Sequence, residues 1–130
     1  QWEELPDPEL VAGQVVIETE AVGVNFVDTM RRSGRHPSAP ATPFTPGVEL
    51  VGHVVSVGEH VTRFKPGDRV IGRCQTHGSY AERVAVEERF TVACPESIPA
   101  ADAAGLFVNP QTAYHALVTM GCAEPGDAYS

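Results

Sequence analysis

A chain of 130 residues, 42% hydrophobic and 20% charged, has the make-up of one folded domain and not of a disordered segment. Nine basic residues against seventeen acidic ones give a formal net charge of −8, which argues against a nucleic-acid backbone or an anionic membrane as partner. Twelve glycines and eleven prolines point to many turns and short strands, and away from a helical bundle.

The first thirteen residues, with Pro6, Asp7, Pro8 and Gly13, read as an extended approach segment. From Gln14 to Val24 the β-branched residues alternate, with Val15, Ile17, Thr19 and Ala21 on one face and Val16, Glu18, Glu20 and Val22 on the other. The first face is the more apolar, so it turns toward a core. Asn25 to Ser33 reads as a short helix capped by Asn25, with Asp28 in its first turn, Arg31 and Arg32 in its last, and Gly34 as a left-handed stop. Prolines at 37, 40, 43 and 46 make His36 to Pro46 a restricted loop.

Short strands follow at Val48–Val57, Arg69–Gly72, Ser79–Val86 and Phe90–Ala93. Turns at Gly58-Glu59-His60 and Lys65-Pro66-Gly67-Asp68 lie between the first two of these runs. This spacing predicts a mainly β fold with short helices, in the form of a small, partly open barrel. After Pro95 the pattern turns helical. Ile98 to Ala104 carries Pro99 at a first helical position, and an apolar helix runs from Gly105 to Met120, with Asn109 or nearby polar groups capping it and Pro110 in an early turn. The uncharged stretch Ala103 to Ala123 is broken by Asn109-Pro110-Gln111 and by His115, so it reads as a buried helix and not as a membrane span. Glu124-Pro125-Gly126-Asp127 is a last turn.

Cys74, Cys94 and Cys122 are odd in number and widely spaced, which points to free thiols in a reducing, cytoplasmic compartment. The opening Gln1-Trp2-Glu3-Glu4 has neither the basic start nor the apolar run of a signal peptide. Cys74-Gln75-Thr76-His77 is a single Cys-x-x-His pair, weak as a metal motif and better read as a thiol beside a turn histidine.

The run Gly47-Val48-Glu49-Leu50-Val51-Gly52-His53-Val54-Val55-Ser56-Val57-Gly58, followed by Gly67-Asp68-Arg69-Val70, sets glycines where a barrel strand must bend or turn. With Val22 to Asp28 (VGVNFVD) before it and Val108 to Leu117 (VNPQTAYHAL) after it, the chain resembles the N-terminal, GroES-like domain of the medium-chain dehydrogenase/reductase superfamily. The resemblance implies a GroES-like partly open β-barrel over residues 1–98. Residues 99–130 would then form a helical connection toward a Rossmann-type nucleotide-binding domain that these residues do not include. No GxGxxG fingerprint occurs anywhere in the chain.

Within that superfamily, the alcohol dehydrogenase branch places a zinc-binding Cys where this chain has Asn25, a His where it has Val48 and a second Cys where it has Val108. Valine offers no lone pair and an Asn amide is a poor zinc ligand, so no metal site is expected. The chain therefore resembles the zinc-independent quinone oxidoreductase branch and the related enoyl-thioester reductases. That likeness implies NADPH as cofactor and a quinone or an activated C=C as substrate. It also implies cofactor contacts from Asn25, near the nicotinamide, and from Thr112 with Asn109 behind it.

His36 stands where relatives often carry a Tyr proposed as proton donor. An imidazole of ordinary pKa about 6.5 makes His36 a candidate general acid, the alternative being a loop histidine in water. Met30 fills another position that is often Tyr. Asp28 and Glu49 are expected to fix local hydrogen bonds, and His53, His60, His77 and His115 are read as strand, turn or helix-face residues. Two functions follow: the substrate side of an NADPH-dependent oxidoreductase, or a stand-alone binding module without redox activity. An incomplete barrel exposes unpaired strand edges, so a nucleotide-binding domain or a second copy in a homo-oligomer is the expected partner.

Overall fold

The computed structural model describes residues 3–75, 78–124 and 126–127. Five strands form one antiparallel sheet: β1 (Gln14–Gly23), β2 (Glu49–Val57), β3 (Arg69–Arg73), β4 (Arg83–Glu87) and β5 (Thr91–Ala93). Their order is β4-β1-β2-β3-β5, so β4 and β5 are unjoined edges and the barrel is open, as the sequence predicts. Helix α1 (Phe26–Arg32) follows β1, α2 (Ala100–Ala103) follows β5, and α3 (Val108–Tyr114) runs on into wider π-helical turns over His115–Met120. The Thr42–Pro43 peptide in the proline-rich loop is cis.

Both faces of the sheet are covered. Val15, Ile17, Leu50, Val54, Val70, Val84 and Val86 form the barrel interior, and Cys74 packs with them. On the other face Val51 and Ile71 meet Cys94, Ala103, Ala104 and Phe107, which seats α2 and the start of the last helical segment against the strands. The strict alternation expected along β1 fails at Glu20. Thr19 pairs with Gly52 and Ala21 with Val51, so Glu20 is an extra residue that reverses the faces beyond it. Val15 and Ile17 therefore point into the interior together with Val22, while Ala21 joins the opposite cluster. At Gly52 a Cβ would run into the Glu18 carbonyl, which is why β2 carries a glycine opposite the bend.

The bulge also gives Glu20 a partner. Its carboxylate accepts from Arg69 Nε at 2.9 Å, and the buried Arg69 guanidinium donates to the carbonyls of Pro95 (2.8 Å) and Ile98 (2.9 Å), tying the strands to the segment that starts α2.

Three further expectations are corrected. The strand placed at Ser79–Val86 begins only at Arg83, because Ser79 and Tyr80 instead donate backbone N–H groups to the carbonyls of Gly47 and Pro46. The helix from Gly105 starts at Val108, and Asn109 lies inside it instead of capping it. The segment expected to be buried is exposed from Asn109 through Cys122. Gly34 does adopt φ +68 directly after the Ser33 cap, as a left-handed stop requires. The Cys-x-x-His pair extends to Thr76 and His77, which lie outside the described residues, as does Pro125 of the last turn.

Candidate functional site

The most connected polar cluster begins at the end of β1. Gly23 lets the chain pass close to its neighbours: a Cβ there would lie 2.5 Å from the Ala104 carbonyl oxygen and 2.5 Å from Glu49 Cγ. Asn25 follows at the N-cap of α1 and is buried. Its backbone N–H donates to Asp28 Oδ2 at 2.9 Å, so the acid in the first turn satisfies the cap, as N-terminal acids do. Tyr80 Oη donates to the same oxygen at 3.2 Å. Burial, together with the Asp28 charge, pushes the Tyr80 phenol above its ordinary pKa.

Glu49 is the centre of the cluster and has no exposed surface. Its Oε1 accepts Asn25 Nδ2 at 2.8 Å, and its Oε2 accepts the backbone N–H of Phe107 at 3.2 Å and of Val108 at 2.9 Å. A buried carboxylate is tolerable only when several donors converge on it, and here three do. The N-terminus of α3 is thus capped from β2 and not from its own sequence. Glu49 fastens the last helical segment to the sheet and to Asn25 at once. Sequence reasoning assigned Glu49 local hydrogen bonds but missed the helix it caps. The available signal was a lone acid inside the run Val48-Glu49-Leu50-Val51, which demands donors from elsewhere.

The four residues singled out from the sequence are not all brought together. Asn25 sits in the buried cluster with one amide hydrogen spent on Glu49. Asn109 and Thr112 are exposed on α3, and the Thr112 hydroxyl donates to the Val108 carbonyl at 2.8 Å, leaving its lone pairs open. His36 lies in the loop after α1, half-buried, with hydrogen bonds to Met30, Ser38 and Ala39. Val24 and Phe26 flank Asn25 in the chain and are 78% and 79% exposed, an unusual cost for two apolar side chains.

Of the three positions that the resemblance sets against the zinc ligands of the alcohol dehydrogenases, Val48 is buried and Val108 half-buried, and neither has a donor atom, while the Asn25 amide is engaged. Among the described residues no group of three or more His, Cys, Asp or Glu side chains is placed to hold a metal ion.

Residues 11–96 match the alcohol dehydrogenase GroES-like domain. The chain belongs to this family. Its relatives in the medium-chain dehydrogenase/reductase superfamily are quinone oxidoreductases and VAT-1 homologs, and it matches the GroES-like part of them. Quinone oxidoreductase of Sus scrofa is 40% identical over 88% of this chain, which spans 35% of that protein. The synaptic vesicle membrane protein VAT-1 homolog of Rattus norvegicus is 42% identical over 88% of the chain and 28% of its own length. The structure of Escherichia coli quinone oxidoreductase complexed with NADPH superposes with a TM-score of 0.84 at 30% identity, over 91% of this chain and 36% of that one. The GroES-like chain therefore spans about a third of the length of these relatives. Asn25, Asp28, His36, Glu49 and Tyr80 fall inside the matched region, and Asn109 and Thr112 fall beyond it.

Proposed function

We propose that this GroES-like domain forms the substrate side of a zinc-free, NADPH-dependent oxidoreductase that reduces a quinone or a C=C bond conjugated to a carbonyl. The observation that carries this reading is the donor set: Val48 and Val108 cannot bind a metal, and Asn25 is committed to Glu49. A substrate already conjugated to an electron-withdrawing carbonyl needs no Lewis acid, so the protein's part reduces to positioning and hydrogen bonding. The likeness to quinone oxidoreductases supports the choice of substrate class.

The residues present suit only one end of the cofactor. Asn109 and Thr112 stand exposed with hydrogen-bonding capacity to spare, and Asn25 keeps a second amide hydrogen, which fits a nicotinamide amide and its ribose. No glycine-rich βα turn in the chain suits the pyrophosphate. When bound, NADPH supplies the hydride. In this reading residues 1–98 carry the substrate face and residues 99–130 lead toward the nucleotide-binding domain. His36 is the group that faces the substrate oxygen, and Val24 and Phe26 offer apolar surface to a flat ring.

Leu106, Tyr114, Leu117 and Met120 are exposed and suit packing against that nucleotide-binding domain or a second copy in a homo-oligomer. The free thiols favour a cytoplasmic setting, and no helix of the described residues is long and apolar enough to cross a membrane.

The test has two parts. Coding sequence beyond Ser130 should continue into an apolar strand and a GxGxxG turn, and the complete protein should consume NADPH when given a quinone or an enone, followed by nicotinamide absorbance. A stop codon at that point rejects the proposal in favour of a stand-alone binding module, and a complete protein that binds NADPH yet reduces neither substrate class rejects it outright.

A further inference from the structure

The ring of His36 is held in one protonation pattern by its own loop. Ser38 donates its backbone N–H to His36 Nδ1 at 3.1 Å, and the Ser38 Oγ lies 2.8 Å from the same nitrogen. A backbone N–H can only donate, so Nδ1 must present a lone pair, and the hydroxyl must then donate as well. The loop that makes these contacts is itself fixed. The N–H groups of Arg35 and His36 both donate to the Met30 carbonyl (2.9 and 3.3 Å), and Ala39 N–H donates to the His36 carbonyl at 2.9 Å. Three prolines at 37, 40 and 43 restrict it further. The ring hydrogen therefore sits on Nε2, which has no partner among the described residues.

We propose that Ser38 is a positioning residue that holds His36 as the Nε2–H tautomer, making it a hydrogen-bond donor to a substrate oxygen and not a proton-transferring acid. This rests on the function proposed above and refines the role of His36 within it. An imidazolium carries a hydrogen on both nitrogens and has no lone pair for the Ser38 N–H, so the loop fits the neutral ring. A neutral imidazole that gives away its last hydrogen becomes an anion, a poor outcome near a developing enolate. By donating without releasing the hydrogen, it polarises the carbonyl instead. The oxygen of a quinone or an enone gains negative charge as hydride reaches carbon, so a fixed N–H directed at that oxygen acts mainly in the transition state.

The tautomer is read directly by nitrogen NMR of the chain labelled at histidine. At pH 8, His36 should show Nδ1 at the unprotonated extreme and Nε2 at the protonated one. His60 and His115, both exposed, serve as references with averaged shifts in the same spectrum. Ser38→Ala, which loses the hydroxyl but keeps the N–H, should move His36 toward those averages. Averaged or reversed His36 shifts in the unaltered chain overturn the proposal.

In the complete protein, His36→Ala should lower kcat for quinone reduction about 100-fold. His36→Gln, whose amide N–H reaches the place of Nε2–H, should recover most of that loss. A glutamine variant as slow as alanine, or an alanine variant as fast as the parent, also overturns it. An unaltered complete protein that reduces no quinone or enone would reject the proposed function while leaving the NMR result to decide the tautomer.

Discussion

Glu49 shows how much one side chain can be asked to hold. Its carboxylate meets three donors, from Asn25, Phe107 and Val108, in a place with no water to replace it. Glu49→Ala leaves all three without a partner, and each buried donor left unmade costs roughly 1–3 kcal/mol. The expected loss is about 3 kcal/mol or more, measured by urea unfolding of the chain. Glu49→Gln keeps one acceptor oxygen and should cost clearly less. Cys74 is the second residue with a measurable signature. Burial pushes its thiol from an ordinary value near 9 up to about 12. Between those values the unfolded chain has lost the proton and the folded chain has kept it, so stability is full below pH 9 and falls as pH rises toward 12. The slope is about 1.4 kcal/mol per pH unit from this group. Thermal melts from pH 8 to 11 should therefore decline, and Cys74→Ala, less stable at pH 8, should decline less steeply.

Among the elements, the first three strands were legible, β4 only in its second half, and the last helix only in part. β1, β2 and β3 end within a residue of the limits the sequence predicts, because Gly, Pro and Asp mark the turns that bound them. The bulge at Glu20 was not legible: nothing local in Thr19-Glu20-Ala21 announces an extra residue, and the partner that Glu20 meets there, the buried Arg69, is 49 residues away. Helix α3 was visible as an apolar pattern, yet apolarity cannot say whether the covering surface lies in the same set of residues. Here Tyr114, Leu117, Val118 and Met120 are exposed, and Glu49 is the hydrogen-bonded tie of the segment's start to the sheet. A helix without tertiary packing opens at low cost. Hydrogen exchange should find the amides of residues 111–120 nearly unprotected while Ile17, Leu50 and Val70 exchange only with global unfolding. Strong protection across 111–120 in the isolated chain would mean that another surface, such as a second copy, covers it.

At the scale of the whole molecule, the fold was readable because the four motifs lie in order along the chain, whereas the site was readable only in part. Asn25 and Glu49 meet through a 24-residue gap, and Glu49 and Val108 through 59, separations that no local pattern encodes. The remaining prediction concerns what these 130 residues can bind alone. A micromolar NADPH site needs about 8 kcal/mol of binding free energy. Asn25, Asn109 and Thr112 can contribute a hydrogen bond each, and a hydrogen bond exchanged with water nets roughly 1 kcal/mol. Their sum reaches about 3 kcal/mol, a millimolar affinity at best, before the loss of translational freedom is counted. The pyrophosphate, with its two negative phosphates, meets no glycine-rich turn here, and the net charge of −8 opposes its approach. Calorimetric titration of the isolated chain with NADPH should therefore show no saturation below the millimolar range. Saturable binding at micromolar concentrations would require an anion cradle within these residues and would overturn the proposed division of labour, in which this domain supplies only the substrate face.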